Sequence, residues 1–209
     1  NAGAYSNASV TITVPGLGAI RVDQGVSGTG IQRLDDMTPS VWEEADGAGL
    51  AAGITKVGGV AAGGNVELSG LEAAPAGLGL RLAWAADADS SSTTGDKTAG
   101  GSSGIKGSGW DATVEMTSDL HGVDGLTVYG GISQVDQYQN AGTINGDSEE
   151  TVIGVKYAMG NFSFGYQQSD DDTGVAAASN YDNTSYSVTF NVNDDLSIGY
   201  NHIESDKQG

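Results

Sequence analysis

Ten stretches of this chain alternate apolar and polar residues with period two, and they come in pairs. The pairs run over residues 8–14 and 18–24, 65–73 and 78–86, 109–118 and 126–137, 149–159 and 162–169, and 182–192 and 196–204. Alternation of this kind predicts strands with one apolar and one polar face. In the first pair Val10, Ile12 and Val14 share one face and Thr11 and Thr13 the other; in the last, Tyr186, Val188, Phe190 and Val192 stand opposite Ser185, Ser187, Thr189 and Asn191. Within each pair the connection is a short turn of Gly, Pro, Asn or Asp, such as Gly160-Asn161 or Asn193-Asp194-Asp195. Between pairs the connections are long and polar: residues 26–63, 87–108, 138–148 and 170–181.

Short turns at one end and long loops at the other are what an antiparallel transmembrane β-barrel requires. One rim only reverses the chain at the bilayer, while the other carries loops into the medium. A strand of about ten residues, tilted by about 45°, spans roughly 23 Å, close to the apolar band of an outer membrane. Tyr157, Phe162, Phe164, Tyr186 and Tyr200 fall on the apolar face, several near strand ends where an interfacial girdle would lie. The expected fold class is therefore all-β, one barrel domain over residues 1–209, with residues 26–63 as a long inserted loop. Inside that loop, Thr38 followed by Pro39 predicts the start of a short helix.

Composition narrows the choices. The 34 glycines among 209 residues disfavour helical bundles, and no window approaches the about 18 to 20 consecutive apolar residues that a membrane helix needs. A formal charge of -19 with only 8 basic residues argues against nucleic-acid binding, which needs clustered Lys and Arg. The absence of cysteine removes disulfides, thiolate metal sites and cysteine nucleophiles. The chain begins at Asn1 and stops at Gly209 just after an apparent strand, and an unpaired barrel edge is not tolerated in lipid, so an internal fragment of a longer chain is expected.

Four segments carry a family resemblance: ASVTITVPGLGAIRVDQG (8–25), LDDMTPSVWEEADG (34–47), ETVIGVKYAMGNFSFGYQQ (150–168) and SYSVTFNVNDDLSIGYNH (185–202). Together they resemble the general porin family of Gram-negative outer membranes, in its alphaproteobacterial branch. The resemblance implies a sixteen-stranded barrel, assembly as a homotrimer among outer-membrane lipid and lipopolysaccharide, and a third external loop folded into the lumen as a constriction. If the loop at 26–63 corresponds to that one, the ten strands match the fourth to the thirteenth, with three missing at each end.

Arg21, Arg81 and Lys156 sit at the parity opposite an apolar stripe and so point to the wet side. The resemblance implies that they face acidic groups of the inserted loop, here Asp35, Asp36, Glu43, Glu44 and Asp46. Opposed charges across a narrow channel order water and penalise large apolar solutes, while small hydrophilic solutes and ions diffuse through. Three readings of the carboxylates stand open: pore-lining charge with a cation preference, calcium ligands at Asp35 and Asp36, and an ordinary solvated loop. Arg33, within the loop, has two equal readings, local pairing with Asp35 or Asp36 and exposure to the pore. Asp170, Asp171 and Asp172 read as external solvated charge.

No cofactor is implied apart from that calcium. Catalysis has little to stand on, since no GxSxG elbow occurs, His121 falls in a turn, and no carboxylate sits in an apolar stretch that would raise its pKa. The alternative function is a secreted or surface acidic β-rich adhesin or calcium-binding protein. It should show a short fixed repeat, which the chain lacks.

Overall fold

The computed structural model of the chain describes residues 8–24, 28–38, 64–88, 106–137, 146–174 and 180–208. Ten strands form a single antiparallel sheet in which each strand pairs with its sequence neighbours. They are β1 Ala8–Val14, β2 Gly18–Gln24, β3 Gly64–Ser69, β4 Leu78–Ala85, β5 Lys106–Met116, β6 Leu126–Gln137, β7 Ser148–Met159, β8 Phe162–Asp172, β9 Asn180–Asn193 and β10 Leu196–Gln208. Because the sheet is an unbroken meander, every short turn lies at one end of it and every long connection at the other. The sheet is open, with β1 and β10 as its edges.

Some boundaries differ from the periodicity reading. β3 stops at Ser69, because Gly70 takes a left-handed conformation (φ 58°) and the chain turns before Leu78. β5 ends at Met116, and one turn of α-helix, α1 (Ser118–His121), follows. His121 caps that turn by accepting the Val123 amide at Nδ1, 3.1 Å away. The connection expected over 170–181 is shorter, since Asp170 pairs with Asp182 and Asp171 with Tyr181 across β8 and β9. The carboxylates expected as external loop charge are thus strand residues, and Asp171 is buried.

The two faces are inverted relative to a water-soluble sheet. On the outer face the apolar residues are open: Leu82 is 54% exposed, Trp84 52%, Ile153 60% and Ile198 58%. They run in continuous cross-strand rows, for example Val10, Val22, Val66, Trp84 and Trp110 from β1 to β5. On the same face Phe162 stacks on Phe164, with ring centroids 6.1 Å apart, and meets Phe190 at a tilt, with centroids 4.6 Å apart. On the inner face the buried residues are mostly polar: Asp23, Asn65, Glu67, Asp111, Thr113, Ser133, Gln167, Asn183 and Ser185.

A short helix covers part of this polar face. Gly30–Met37 forms a 3₁₀-helix, η1, against β4, β5, β6 and β7. With three residues per turn, Ile31, Leu34 and Met37 fall on one side of it. They meet Tyr129 and Val152, inner-face exceptions to polarity, and Ile203 of β10 packs against the same cluster. Val152 and Ile203 lie three strands apart, a path of roughly 14 Å along the sheet at about 4.8 Å per strand. Both reach one cluster because the sheet curls strongly around η1. The helix expected to begin at Thr38 lies over residues outside the described set, whereas η1 ends there, with Thr38 as its C-cap residue.

Candidate functional site: the inner face and its docked segment

One row of residues crosses the whole inner face: Thr11, Arg21, Glu67, Ala83, Asp111, Ser133, Glu150, Asp171, Tyr181 and Lys207, one from each strand. Glu67 on β3 and Asp111 on β5 flank Ala83 on β4, whose small side chain leaves a slot between them. The amino end of η1 enters this slot. The Gly30 amide donates to Glu67 Oε2 at 2.8 Å, and the Ile31 amide donates to Asp111 Oδ2 at 2.9 Å. The first amides of a helix have no partner within it, so two carboxylates supply what the helix cannot. Gly30 has φ 60°, and any side chain there would collide with the Asp111 carboxylate. Thr29, just before, accepts from Asn65 Nδ2 at 2.9 Å.

The same Glu67 holds Arg33. Its guanidinium donates to both carboxylate oxygens at 2.8 Å and to the Gly28 carbonyl at 2.8 Å. Burial pushes the Arg33 pKa down, and the Glu67 charge opposes that shift. Arg33 therefore pairs with Glu67 on the strand wall, a partner that neither of its two sequence readings named.

At the other end of η1, Thr38 Oγ1 donates to Gln167 Oε1 at 3.0 Å, and Tyr129 Oη donates to the same oxygen at 2.6 Å. Between the two ends the floor is glycine. A side chain at Gly131 would strike Leu34 and Ile31, and one at Gly154 would strike the Tyr129 ring. Two bare positions on neighbouring strands thus let an aromatic and a helix lie flat on the wall.

The residues singled out from the sequence fall as follows. Arg21 lies on the inner face and pairs with Asp23 on its own strand, 2.6 Å away. Arg81 is on the inner face, near enough to Arg33 for repulsion between the two to be felt, and it makes no hydrogen bond or ion pair among the described residues. Lys156 is also on the inner face, on β7, two strands beyond β5. Asp35 belongs to η1, as does Asp36 by its backbone, the side chain of Asp36 lying outside the described set. Glu43, Glu44 and Asp46 lie outside the described residues. Where η1 meets the wall, the inserted segment also supplies a cation, Arg33, which pairs with the wall carboxylate Glu67.

Among the described residues no group of three or more His, Cys, Asp and Glu side chains converges as a metal cage. Period-two parity missed Glu67, Asp111, Tyr129 and Gln167 because it names a face and not a partner. The spacing of Ile31, Leu34 and Met37 by threes was the available signal for η1.

No family model matches the chain, and no curated protein matches it. Among solved structures, a double mutant of the porin of Rhodobacter blastica is similar in layout, at 13% identity over 94% of this chain and 71% of that one, with a TM-score of 0.40. At that identity and TM-score the likeness is too low to carry function across.

Proposed function

We propose that this chain forms the wall of a passive diffusion channel in a bacterial outer membrane, admitting small hydrophilic solutes and ions with a lean toward cations. The observation that carries the reading is the inversion of the two faces. An unbroken apolar band on the outside suits hydrocarbon, while a curled polar inner face carrying buried charges suits a water-filled path. In water the same band would be a broad exposed apolar surface, which disfavours the alternative of a secreted acidic β protein.

In this reading η1 and the segment that follows it narrow the lumen, and Arg21, Arg81 and Lys156 line it together with Asp35, Asp36, Glu43, Glu44 and Asp46. The excess of carboxylate favours cations, and transport requires no catalytic group. The open edges β1 and β10 must be paired within lipid, whether by further strands or by other copies, and a homotrimer among lipopolysaccharide and lipid is the assembly we expect.

Planar-bilayer recording tests this. The complete gene product should give stepwise, ohmic conductance in KCl, and silence across a wide salt range would end the proposal. Replacing Arg81 by Ser should shift the reversal potential in a salt gradient toward stronger K⁺ preference. Replacing Arg21 should shift it less, because Asp23 already neutralises that guanidinium. An unchanged reversal potential for both removes the arginines from the solute path.

A further inference from the structure

On β8 to β10 the outer face changes character toward the long-loop end. Tyr166, Tyr186 and His202 form the last row of rings; the next row holds Gln168, Thr184 and Glu204, and the one after it Asp170, Asp182 and Asp206. These last three side chains are exposed and project past the apolar band. Carboxylates placed directly opposite one another across strands repel, so three in one row need a physical reason to lie side by side.

The reason is a proton. The Asp170 carboxyl is hydrogen-bonded to that of Asp182, and two carboxyl groups can share such a bond only when one of them is protonated. On its other side Asp182 Oδ2 accepts from Gln208 Nε2. Asp170 faces Thr151 on β7, with Glu149 one row further out, Asp182 on β9, and its own-strand neighbours Asp171 and Asp172. Beyond Asp182 stand Asp206 and Glu204 of β10, while Glu150 and Lys207 lie on the inner face, opposite Asp171 and Tyr181. No cation therefore occupies the outer-face positions around the pair among the described residues. Shielding of Asp170 from water, the bond to Asp182 and the charges of Asp182, Asp172 and Asp171 push its pKa up to about 6.

The pair sits just below a group of bonds at the loop end of the β8–β9 hairpin. The Thr173 amide donates to Asn180 Oδ1 at 3.1 Å, closing the hairpin across its two strands. The Thr173 carbonyl accepts from Gln137 Nε2 of β6 at 2.6 Å, and the Gly174 carbonyl accepts the Gly146 amide, ahead of β7, at 3.3 Å. We propose that Asp170 and Asp182 form a proton-operated clasp: one shared proton holds the end of this hairpin shut, and ionisation of both carboxyls loosens it together with the bonds at Thr173 and Gly174. An acid whose pKa is raised by folding stabilises the closed form fully below the ordinary carboxylate range, and that contribution is lost as pH climbs toward about 6. The clasp is thus tight in acid and slack at neutral pH. Its role, setting the shape of the channel mouth by pH, rests on the channel reading; the clasp itself does not.

Hydrogen exchange at the Thr173 amide in the detergent-solubilised complete gene product tests it, with rates corrected for the intrinsic pH dependence of exchange. Opening should rise about tenfold between pH 4 and pH 7, less than the full shift would give because both carboxyls are exposed and screened. Asp170→Asn keeps a hydrogen bond to Asp182 without the titrating proton, and its Thr173 opening should agree at the two pH values within about twofold. The ¹³C carboxyl shift of Asp170 should titrate near pH 6 in the unaltered chain and move toward the ordinary range of about 4 in Asp182→Asn. A midpoint near 4 in the unaltered chain, Thr173 opening that is the same at both pH values, or a rise that survives in Asp170→Asn overturns the clasp. KCl conductance with pH-independent Thr173 exchange removes the clasp and leaves the channel, whereas pH-dependent exchange without conductance removes the channel and leaves the clasp.

Discussion

Replacing Glu67 by Ala should release η1 from the wall. The substitution removes three acceptor contacts at once, one to the Gly30 amide and two to the Arg33 guanidinium. Glu67 is 2% exposed, and its partner Arg33 has a side chain 20% exposed. Removing one member of a buried ion pair costs about 3–5 kcal/mol, and an orphaned buried amide about 1–3 kcal/mol. The two losses overlap, because lifting η1 rehydrates both groups together, and the partial exposure of Arg33 moves the sum toward the low end. A loss of about 3 kcal/mol in the docked state, at about 1.4 kcal/mol per tenfold, corresponds to a roughly 150-fold rise in opening. Hydrogen exchange at the Ile31 amide reads it, since that amide is bonded to Asp111 and not to Glu67. If η1 docks as a unit, Ile31 exchange should quicken by up to that factor. Glu67→Gln, which keeps an oxygen for Gly30 but loses the ion pair, should fall between. Ile31 exchange within about threefold of the unaltered chain would refute the idea that Glu67 anchors the helix rather than one amide.

Two further outcomes test the packing and the faces. Gly154→Val should push the Tyr129 ring off its strand and break its bond to Gln167, seen as a changed near-ultraviolet tyrosine signal; an unchanged signal would show that the glycine floor is dispensable. Ile153→Arg on the outer face should destabilise folding into lipid vesicles by about 2–4 kcal/mol in a urea titration, whereas Thr127→Arg on the inner face should cost far less, and equal effects would reverse the assignment of the faces.

Much of this protein could be read along the chain. Period two placed Val10, Leu82, Trp84, Tyr186 and Val188 on one face and Arg21, Arg81 and Lys156 on the other, because alternation is a property of the extended backbone itself. Turn chemistry fixed which ends are tight. The site was less accessible. Tyr129 and Val152 look like misplaced apolar residues on a polar face until η1 is laid against them, and Glu67, a charged residue in an ordinary strand, gives no local sign that it meets Gly30 and Arg33.

The sequence by itself determined the strands, their two faces and the order of short and long connections, since these follow from local backbone geometry and side-chain polarity. Only the tertiary structure decided which inner-face residues meet. Glu67 and Gly30 are 37 positions apart, and Thr38 and Gln167 are 129 apart. Contacts at such separations depend on the register of every intervening strand pair and on the curl of the sheet, and no local pattern encodes either.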